Sequence, residues 1–444
     1  MKDYRYFEKL ARTENKNRKQ RLEIRYYCSS FIGKTIIRKL KKAAHWLDLR
    51  WGTHARNKMI KGIKVEKNKI FIMTFQGKLV CNPRYIAEEL LSRNIPLEIV
   101  VCGNGVLPPS LEGRENVRAV KRDSLMHFVE QASSAVWIDN AINCEWFPMK
   151  KKEGQLYLQT WHGSLGLKRI DPETQTKRWL YSAKHSVAAT DYLFSNSDFE
   201  TDVFRETYWP SSRVLLMGHA RNDIFFDEAK MDATKNRVLS ALNLPQQVRV
   251  ALYAPTFRDA KTDEFDVGSL PFEMLYDAIK KRFGGEWVIG LRLHPRDKTN
   301  VAALLKEFPF LFDASCCEDM QELLCACDMG ITDYSSWICD YVFTRRPAFV
   351  FAPDLAHYME KDRGFYYPLN TAPFPLAESF SELLRKISEF DEKIYRERVE
   401  DFLHDKGCVD DGSASKRICD FIEAYLNGED LTGFERQYLT LRGL

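Results

Sequence analysis

Two histidines of this chain come directly after predicted strands. His162 follows the predicted strand 155–160, and His294 follows the predicted strand 287–293. Ligands of α/β proteins bind beside strand ends, because the loops there can converge without disturbing the core. An imidazole accepts a proton from a hydroxyl near neutral pH, so this pair predicts acid–base chemistry. A structural hydrogen bond to the backbone is the alternative interpretation for His162.

Basic side chains accompany both histidines. Trp161 and Gly163 flank the first histidine, Lys168 follows it, and glycine lets the backbone approach a ligand closely. Arg292 precedes His294 by two residues, so on a strand both side chains would point to the same face. Lysine and arginine suit an anionic ligand, and these segments therefore predict a site for one.

Two further arginines follow predicted strands. Arg221 lies in the run GHARND, and Arg258 lies in YAPTFRD, where Thr256 adds a hydroxyl. A guanidinium binds phosphate through paired hydrogen bonds, so both are candidate phosphate ligands. The alternatives are structural: the Asn-Asp pair after Arg221 would cap the next helix, and Arg258 would pair with Asp259 and fix its loop.

A hydroxyl-rich loop joins a predicted strand that ends at Thr332 to a predicted helix that spans 335–343. Asp333, Ser335 and Ser336 lie in the same stretch. The first N–H groups of a helix and the positive end of its dipole favour anions, and hydroxyls add donors. An ordinary N-cap needs only one such hydroxyl, so the run predicts an anion site.

Strand and helix patterns alternate from residue 70 onward. Such alternation predicts a mostly parallel sheet covered by helices on both faces. The polar stretch 227–247 interrupts the pattern, which then restarts, so we expect two Rossmann-like halves with a cleft between them. The section 379–427 is predicted to be helical throughout. The chain has no GxGxxG and no GxxxxGK[ST] run, which argues against a dinucleotide fingerprint and a P-loop.

The composition is that of a globular protein. The 444 residues are 45% hydrophobic and 29% charged, so two domains with an appendage are expected. No run approaches the roughly 18 apolar residues that span a bilayer, and no signal-peptide core is visible, so we expect a cytosolic chain. The 11 cysteines include no CxxC pair, and neither a bound metal nor a tightly bound cofactor is expected.

The first 60 residues are strongly basic. They hold 17 Lys/Arg and 5 Asp/Glu, and their apolar residues at positions 32, 36, 40, 43 and 47 share one helical face. A basic amphipathic helix suits an anionic membrane surface. A helix packed on its own domain is the alternative. Nucleic acid is not an expected partner, because no nucleic-acid-binding motif accompanies the charge.

The chain resembles the CDP-glycerol glycerophosphotransferases of teichoic acid synthesis in motifs that run in the order TWHG, GHARND, YAPTFRD, RLHP, TDYSS, FAPDL and RGFYY. The likeness spans about residues 67–390. It implies an α/β fold of GT-B type, with two Rossmann-like domains facing across a cleft and here a basic N-terminal helical extension. It also implies transfer of a polyol phosphate from a CDP-activated donor to a hydroxyl of a lipid-linked glycan acceptor.

The resemblance divides the chain into four expected segments. Residues 1–66 would be a basic membrane-association segment, 67–240 an acceptor domain, 241–390 a CDP-donor domain and 391–444 a set of C-terminal helices. The protein would then be peripheral, at the cytoplasmic face of the cell membrane.

The resemblance also implies roles for single residues. His162 matches a histidine proposed as the general base for the acceptor hydroxyl, and His294 matches one thought to contact the donor phosphates. The expected donor phosphate ligands are Arg292, Thr332, Ser335, Ser336, Arg258, Arg221 and Arg363. The other expected cleft residues are Trp161, Gly163, Lys168, Thr256 and Asp333.

Two loops depart from the family pattern. Ser164-Leu165-Gly166 stands where the family usually has a Thr-Pro pair, and Ala220 stands where it often has proline. Both departures change loop stiffness and keep the charged residues, so they bear on the acceptor more than on the reaction. The expected reaction transfers glycerol phosphate from CDP-glycerol and releases CMP. The alternatives are CDP-ribitol or another activated polyol, a GT-B nucleotide-sugar glycosyltransferase, and a non-catalytic scaffold that binds an anionic glycan.

Overall fold

A computed structural model of the protein describes residues 57–58, 60–74, 77–142, 149–166, 168–169, 177–256, 266–294, 297, 299–361 and 364–439. The predicted amphipathic helix of the N-terminal segment lies outside the described residues, as do Arg258 and Arg363. Within the described residues, no helix is both long and apolar enough to cross a bilayer.

The described chain forms two compact units. The first takes in the described residues up to His162 together with those of Gln175–Leu193 and Cys419–Gly433. The second takes in those of Gly163–Thr174, Phe194–Ile418 and Phe434–Leu444.

The first sheet has seven strands in the order β3-β2-β1-β4-β5-β6-β7. The strands are β1 (Glu66–Met73), β2 (Glu98–Gly103), β3 (Val117–Lys121), β4 (Ser134–Asp139), β5 (Leu156–Gln159), β6 (Tyr192–Ser195) and β7 (Arg213–Leu216). Strands β1 to β6 pair in parallel, as the alternating pattern predicts. The central strand β1 carries Ile70, Phe71 and Ile72 without exposed surface, because a parallel strand is covered on both faces.

The second sheet has six strands in the order β10-β9-β8-β11-β12-β13, and all its pairings are parallel. The strands are β8 (Arg249–Tyr253), β9 (Trp287–Leu291), β10 (Leu311–Asp313), β11 (Met329–Thr332), β12 (Ala348–Phe351) and β13 (Leu376–Ala377). Two parallel sheets confirm the predicted α/β class.

Helices follow most of the strands. They are α1 (Cys81–Ser92), α2 (Leu125–Ser133), α3 (Lys177–Ala189), α4 (Asp198–Glu206), α5 (Glu228–Ala241), α6 (Phe272–Phe283), α7 (Val301–Glu307), α8 (Met320–Ala326), α9 (Trp337–Tyr341), α10 (Leu355–Lys361), α11 (Phe380–Ser388), α12 (Glu392–Asp405), α13 (Ala414–Asn427) and α14 (Thr432–Tyr438).

Two helix predictions are wrong in extent. The helix predicted over 335–343 is α9, which has five residues and passes into a 3-10 turn, Val342–Thr344. The section 379–427 is not helical throughout but holds three separate helices. Asp391 starts α12 as its N-cap, and Gly407 has a positive φ after that helix ends, so capping residues rather than periodicity mark these breaks.

Gly330 in β11 gives a test of how closely α9 packs on the second sheet. A Cβ built at Gly330 would lie 2.9 Å from Cη2 of the Trp337 ring, which belongs to α9. Gly330→Ala should therefore lower the free energy of unfolding by about 1–3 kcal/mol, the usual range for an overpacked core. Urea unfolding measures it. Gly62→Ala is the control, since a Cβ there meets nothing within 4 Å, and an equal loss in both variants would contradict the packing argument.

Candidate functional site

Three strand ends of the second sheet meet at one edge. Strand β8 lies between β9 and β11, and its ladder continues past the strands: Ala254 N donates to Ile331 O at 3.1 Å, and Arg292 N donates to Tyr253 O at 3.0 Å. Because the strands are parallel, the loops after them start side by side. The predicted site residues that begin these loops are Thr256, Arg292, His294, Thr332, Asp333, Ser335 and Ser336.

Asp333 ties two of these loops together. Its carboxylate is 1% exposed and accepts the backbone N–H of Thr256 at 2.8 Å (Oδ1) and 3.0 Å (Oδ2). It also accepts the N–H of Tyr334. Lys168 Nζ donates to Thr256 Oγ1 at 3.3 Å. The second unit therefore brings three predicted residues together, with an ammonium group beside a fixed hydroxyl.

An aromatic cluster lies on one side of that ammonium group. Lys168 Nζ lies 5.6 Å from the ring centroid of Tyr358, within cation–π range. The Tyr358 ring stacks on Tyr334 at 3.9 Å between centroids, and Phe365 packs against both. The buried Tyr334 hydroxyl donates to Asp354 Oδ1 at 2.9 Å. This packing holds the Lys168 side chain in place.

The hydroxyl groups of the predicted anion loop fall into two sets. Thr332 has no exposed surface, and its Oγ1 donates to Ala254 O at 2.7 Å, so this hydroxyl holds β11 to the loop after β8. Ser335 is half-buried and Ser336 is exposed. Ser336 is the N-cap of α9, yet its side chain makes no capping hydrogen bond. An ordinary N-cap therefore does not explain these two serines, and the short α9 adds only a small dipole.

The Arg292–His294 segment differs from its prediction. Strand β9 ends at Leu291, two residues before the predicted end, so the same-face argument for this pair does not hold. The Arg292 guanidinium donates to three backbone carbonyls, those of Ala314 at 3.2 Å, Glu318 at 3.4 Å and Cys317. Because carbonyls carry no full charge, these bonds fix the cation without neutralising it. His294 is half-buried beside it.

Arg221 forms a buried ion pair. Its Nε and Nη2 donate to Oδ2 and Oδ1 of Asp340 at 3.0 and 3.1 Å, and Nη2 also donates to Gly163 O at 2.5 Å. Gln321 Nε2 donates to Asp340 Oδ2 at 3.0 Å. Arg221 is 2% exposed. Here the guanidinium predicted as a phosphate ligand instead anchors the loop that begins at Gly163.

Asp340 was not among the predicted site residues, although its place in an apolar helix indicates a carboxylate that needs a partner. It lies on α9, whose residues are all buried. A carboxylate in such a helix needs a cationic or hydrogen-bonding partner, because aspartate is almost never fully buried unless paired.

Asp223 acts as a helix cap, but for a different helix from the predicted one. The next helix, α5, is capped by Asp227. Asp223 instead accepts the N–H groups of Ala414 at 3.0 Å and Ser415 at 2.7 Å, at the start of α13. Burial raises the pKa of this carboxyl to about 6, against the opposing effect of these hydrogen bonds. The cap therefore ties the GHARND loop to a segment almost 200 residues away.

His162 belongs to the first unit and has a defined orientation. Its Nδ1 lies 2.6 Å from Asn140 O. A carbonyl oxygen only accepts, so in the neutral ring Nδ1 carries the proton and Nε2 carries the lone pair. Trp161, 8% exposed and with φ of 51°, packs its ring 4.5 Å from the imidazole. The backbone bond given as the structural alternative is present, and it leaves the lone pair of the neutral ring on Nε2.

The residues around His162 are held by amide side chains. Gln159 Oε1 accepts the N–H of Trp161 at 2.8 Å, and Asn82 Nδ2 donates to Thr160 O at 3.1 Å. These buried bonds fix the left-handed turn at Trp161, which is an unusual conformation for an aromatic residue. The turn sets the direction in which the imidazole leaves β5.

A metal centre would need a cluster of ligating side chains. Among the residues that the structure describes, no group of three or more His, Cys, Asp or Glu side chains is placed to hold a metal ion. Arg258 and Arg363, two predicted phosphate ligands, lie outside the described residues. The chemistry available in the described part rests on imidazole, ammonium, guanidinium and hydroxyl groups.

The Arg221–Asp340 pair gives a stability test. Asp340→Asn should lower the free energy of unfolding by about 3–5 kcal/mol, because it leaves a buried guanidinium without its counter-charge. Glu389→Gln is the control, since it breaks the exposed Arg385–Glu389 pair and should change stability by less than about 1 kcal/mol. Chemical denaturation of both variants measures the difference. Similar losses would show that burial does not set the energy of the Arg221 pair.

Comparison with known proteins extends over most of the chain. Residues 55–424 match the family described as CDP-glycerol:poly(glycerophosphate) glycerophosphotransferase. A teichoic acid poly(glycerol phosphate) polymerase of Staphylococcus epidermidis is 34% identical over 385 residues, which cover 81% of this chain and 51% of that protein. The chain thus spans about half the length of the first curated relatives it matches. A teichoic acid glycerol-phosphate transferase of Staphylococcus aureus is 29% identical, with coverage of 80% and 93%.

The fold is also that of a solved relative. The structure of the wall teichoic acid polymerase TagF superposes with a TM-score of 0.70 at 28% identity, covering 88% of this chain and 98% of that one. A variant of TagF soaked with CDPG gives the same TM-score of 0.70. Since the family match takes in all but the two ends of the sequence, the chain belongs to the CDP-glycerol:poly(glycerophosphate) glycerophosphotransferase family.

Proposed function

We propose that this protein transfers glycerol phosphate from CDP-glycerol to a hydroxyl of a lipid-linked glycan or poly(glycerol phosphate) acceptor, with release of CMP, in the synthesis of teichoic acid or a related cell-surface polymer. The observation that carries the proposal is the orientation of His162, whose Nδ1 bond to Asn140 O leaves Nε2 as the proton acceptor in a chain of this family. The names of the relatives, and the CDPG soak of TagF, support the donor.

The proposed reaction starts at the acceptor hydroxyl. His162 Nε2 takes its proton while the hydroxyl oxygen forms a bond to the phosphorus that carries glycerol. The bond between that phosphorus and the oxygen of the CMP phosphate breaks, and CMP leaves with the electron pair. The proton on His162 then passes to solvent. The solved forms of TagF include histidine-to-alanine and histidine-to-asparagine variants, which is consistent with histidine chemistry in the family.

Charge develops on the departing phosphate, and cations would stabilise it. We assign this task to Arg292, His294, Lys168, Ser335 and Ser336, with Arg258 and Arg363 as further phosphate ligands. The carbonyl contacts of Arg292 fit this role, because they orient a charge that no carboxylate neutralises in these contacts. Thr332 and Arg221, whose donors are engaged by the protein, would instead position their loops.

The proposed arrangement is of GT-B type. Residues 67–240 would form the acceptor domain, residues 241–390 the CDP-donor domain and residues 391–444 the C-terminal helices. The active site would lie in the cleft between the two domains. Two parallel sheets and the likeness to TagF support this arrangement.

Release of CMP tests the reaction. The purified protein should release CMP from CDP-glycerol when a lipid-linked acceptor is present, and His162→Ala should reduce the rate by about 10²–10⁴-fold, the usual contribution of a general base. His185→Ala is the control, because this exposed histidine belongs to the same unit. If CMP is released from none of the CDP-polyols, or if both variants keep the full rate, the proposal fails.

CDP-ribitol is the second donor to include. Teichoic acid ribitol-phosphate polymerases of Bacillus spizizenii and Staphylococcus aureus also match the chain, at 27% and 24% identity. The higher identity to glycerol-phosphate proteins favours CDP-glycerol. A faster rate with CDP-ribitol at equal concentration would reverse this choice of donor and leave the reaction type unchanged.

We also propose that the basic N-terminal segment holds the protein on the anionic cytoplasmic face of the cell membrane. Deletion of residues 1–56 should abolish co-sedimentation with anionic vesicles, because it removes most of the basic excess. The deletion spares Ile60, which is 2% exposed in the core of the first unit. Zwitterionic vesicles are the control. Undiminished binding of the truncated protein to anionic vesicles would refute the assignment.

A further inference from the structure

The loop Ser164-Leu165-Gly166 departs from the family pattern, and its first two side chains are buried in the protein. Ser164 is 5% exposed and Leu165 has no exposed surface. The carbonyl of Leu165 accepts the Tyr367 hydroxyl at 2.6 Å, and that of Gly163 accepts Arg221. The Ser164 and Leu165 side chains are therefore unsuited to contact an acceptor. Their effect on the reaction must come from where they hold the chain just after His162.

One carboxylate organises the polar groups behind this loop. Asp410 accepts hydrogen bonds from Asn196 Nδ2 at 2.7 Å, Asn222 Nδ2 at 3.1 Å and the backbone N–H of His219 at 2.7 Å, and a weaker one from Cys408 Sγ at 3.9 Å. Asn196 Nδ2 also donates to Ser164 Oγ at 3.0 Å. The amide of Asn196 thus connects the carboxylate to the loop, with one hydrogen for each acceptor.

The position of Asp410 is itself well determined. The segment 406–410 runs beside the loop after β6, where Val409 N donates to Asn196 O at 2.9 Å, Phe199 N to Lys406 O at 3.1 Å and Asp198 N to Gly407 O at 3.2 Å. These backbone hydrogen bonds fix the position of the Asp410 carboxylate beside Asn196. Asn196 and Asn222 have no exposed surface, so their amides have few alternatives to the bonds they make.

We propose that Asp410 is a positioning residue for the transfer reaction: through Asn196 and the Ser164 hydroxyl it fixes the loop that begins one residue after His162. This inference rests on the proposed function. A carboxylate suits the place because it only accepts hydrogen bonds, and the Asn196, Asn222, His219 and Cys408 groups that face it are all donors. We call the hydrogen-bonded series Asp410, Asn196 and Ser164 the relay. Of the three loop residues that differ from the family pattern, the relay requires only the hydroxyl at position 164.

An amide at position 410 would disturb the relay. Asn in place of Asp410 presents an NH₂ group to the NH₂ groups of Asn196 and Asn222, so either a bond is lost or both amides turn over. If Asn196 turns, its oxygen faces Ser164 Oγ, and the Ser164 hydroxyl must change from acceptor to donor. Small displacements of a catalytic base lower the rate strongly, whereas the described groups assigned to donor binding, apart from Lys168, lie on loops of the second sheet.

The experiment compares two neighbouring carboxylates. Asp410→Asn should lower kcat for CMP release by about 10–100-fold, with KM for CDP-glycerol changed by less than about twofold. Asp411→Asn is the matched control, because Asp411 bonds to Arg417 and to the N–H of Ser413, outside the relay. It should leave both constants near the wild-type values. Equal effects of the two substitutions, or a loss that falls on KM alone, would overturn the inference.

Substitution of Ser164 gives a second test, because Ser164→Ala removes only the side-chain hydroxyl. Ser164→Ala should lower kcat in the same sense as Asp410→Asn, and Ser164→Thr, which keeps the hydroxyl, should restore most of it. The double variant Asp410→Asn/Ser164→Ala should lose no more than the worse single variant, because both act through Asn196. Additive losses, or equal activity of the alanine and threonine variants, would refute the relay.

The two proposals fail in different ways. If the wild-type protein releases no CMP from any CDP-polyol, the proposed function is wrong. If the wild-type protein is active but kcat is unaffected by Asp410→Asn and Ser164→Ala, only the positioning inference is wrong. Thermal unfolding of each variant identifies a loss of folded protein, and Ser164→Ala decides the inference if Asp410→Asn does not fold.

Discussion

Parallel pairing of β8 between β9 and β11 is the constraint on which the site of the second unit depends. It forces three loops to begin at one sheet edge, since parallel strands all end on the same side. The backbone N–H groups of Ala254 and Arg292 extend the hydrogen-bond ladder past the strand ends. The Asp333 carboxylate then accepts the N–H of Thr256 and so fixes the loop after β8. The site residues start from a rigid edge, which is why widely separated motifs converge.

Buried charge imposes the second constraint. A carboxylate or guanidinium removed from water needs a partner, and this need explains all three residues that follow Ala220. Arg221 pairs with Asp340, Asn222 donates to Asp410, and Asp223 caps α13. The GHARND motif is in this structure an anchoring element that ties one loop to three distant segments, with its arginine turned away from solvent.

Helices and strands with continuous apolar patterns were predicted well. Strand β5 lies within the predicted strand 155–160 and β11 ends at Thr332 as predicted, because apolar runs between polar residues mark buried elements without reference to the rest of the chain. The predicted helix over 335–343 was too long, because the β11–α9 turn places Ser336 as the N-cap, after the residue where the hydroxyl pattern begins.

The sequence by itself determined the α/β class, the family and the kinds of groups at the candidate site, because motif order and apolar spacing are properties of short stretches. Only the tertiary structure decided which groups hold the protein together. The Thr332 hydroxyl, the Arg221 guanidinium and the Asp410 carboxylate find partners 78, 119 and 214 residues away. No local pattern encodes such partners, since a polar group in the interior bonds to whatever the folded chain brings beside it.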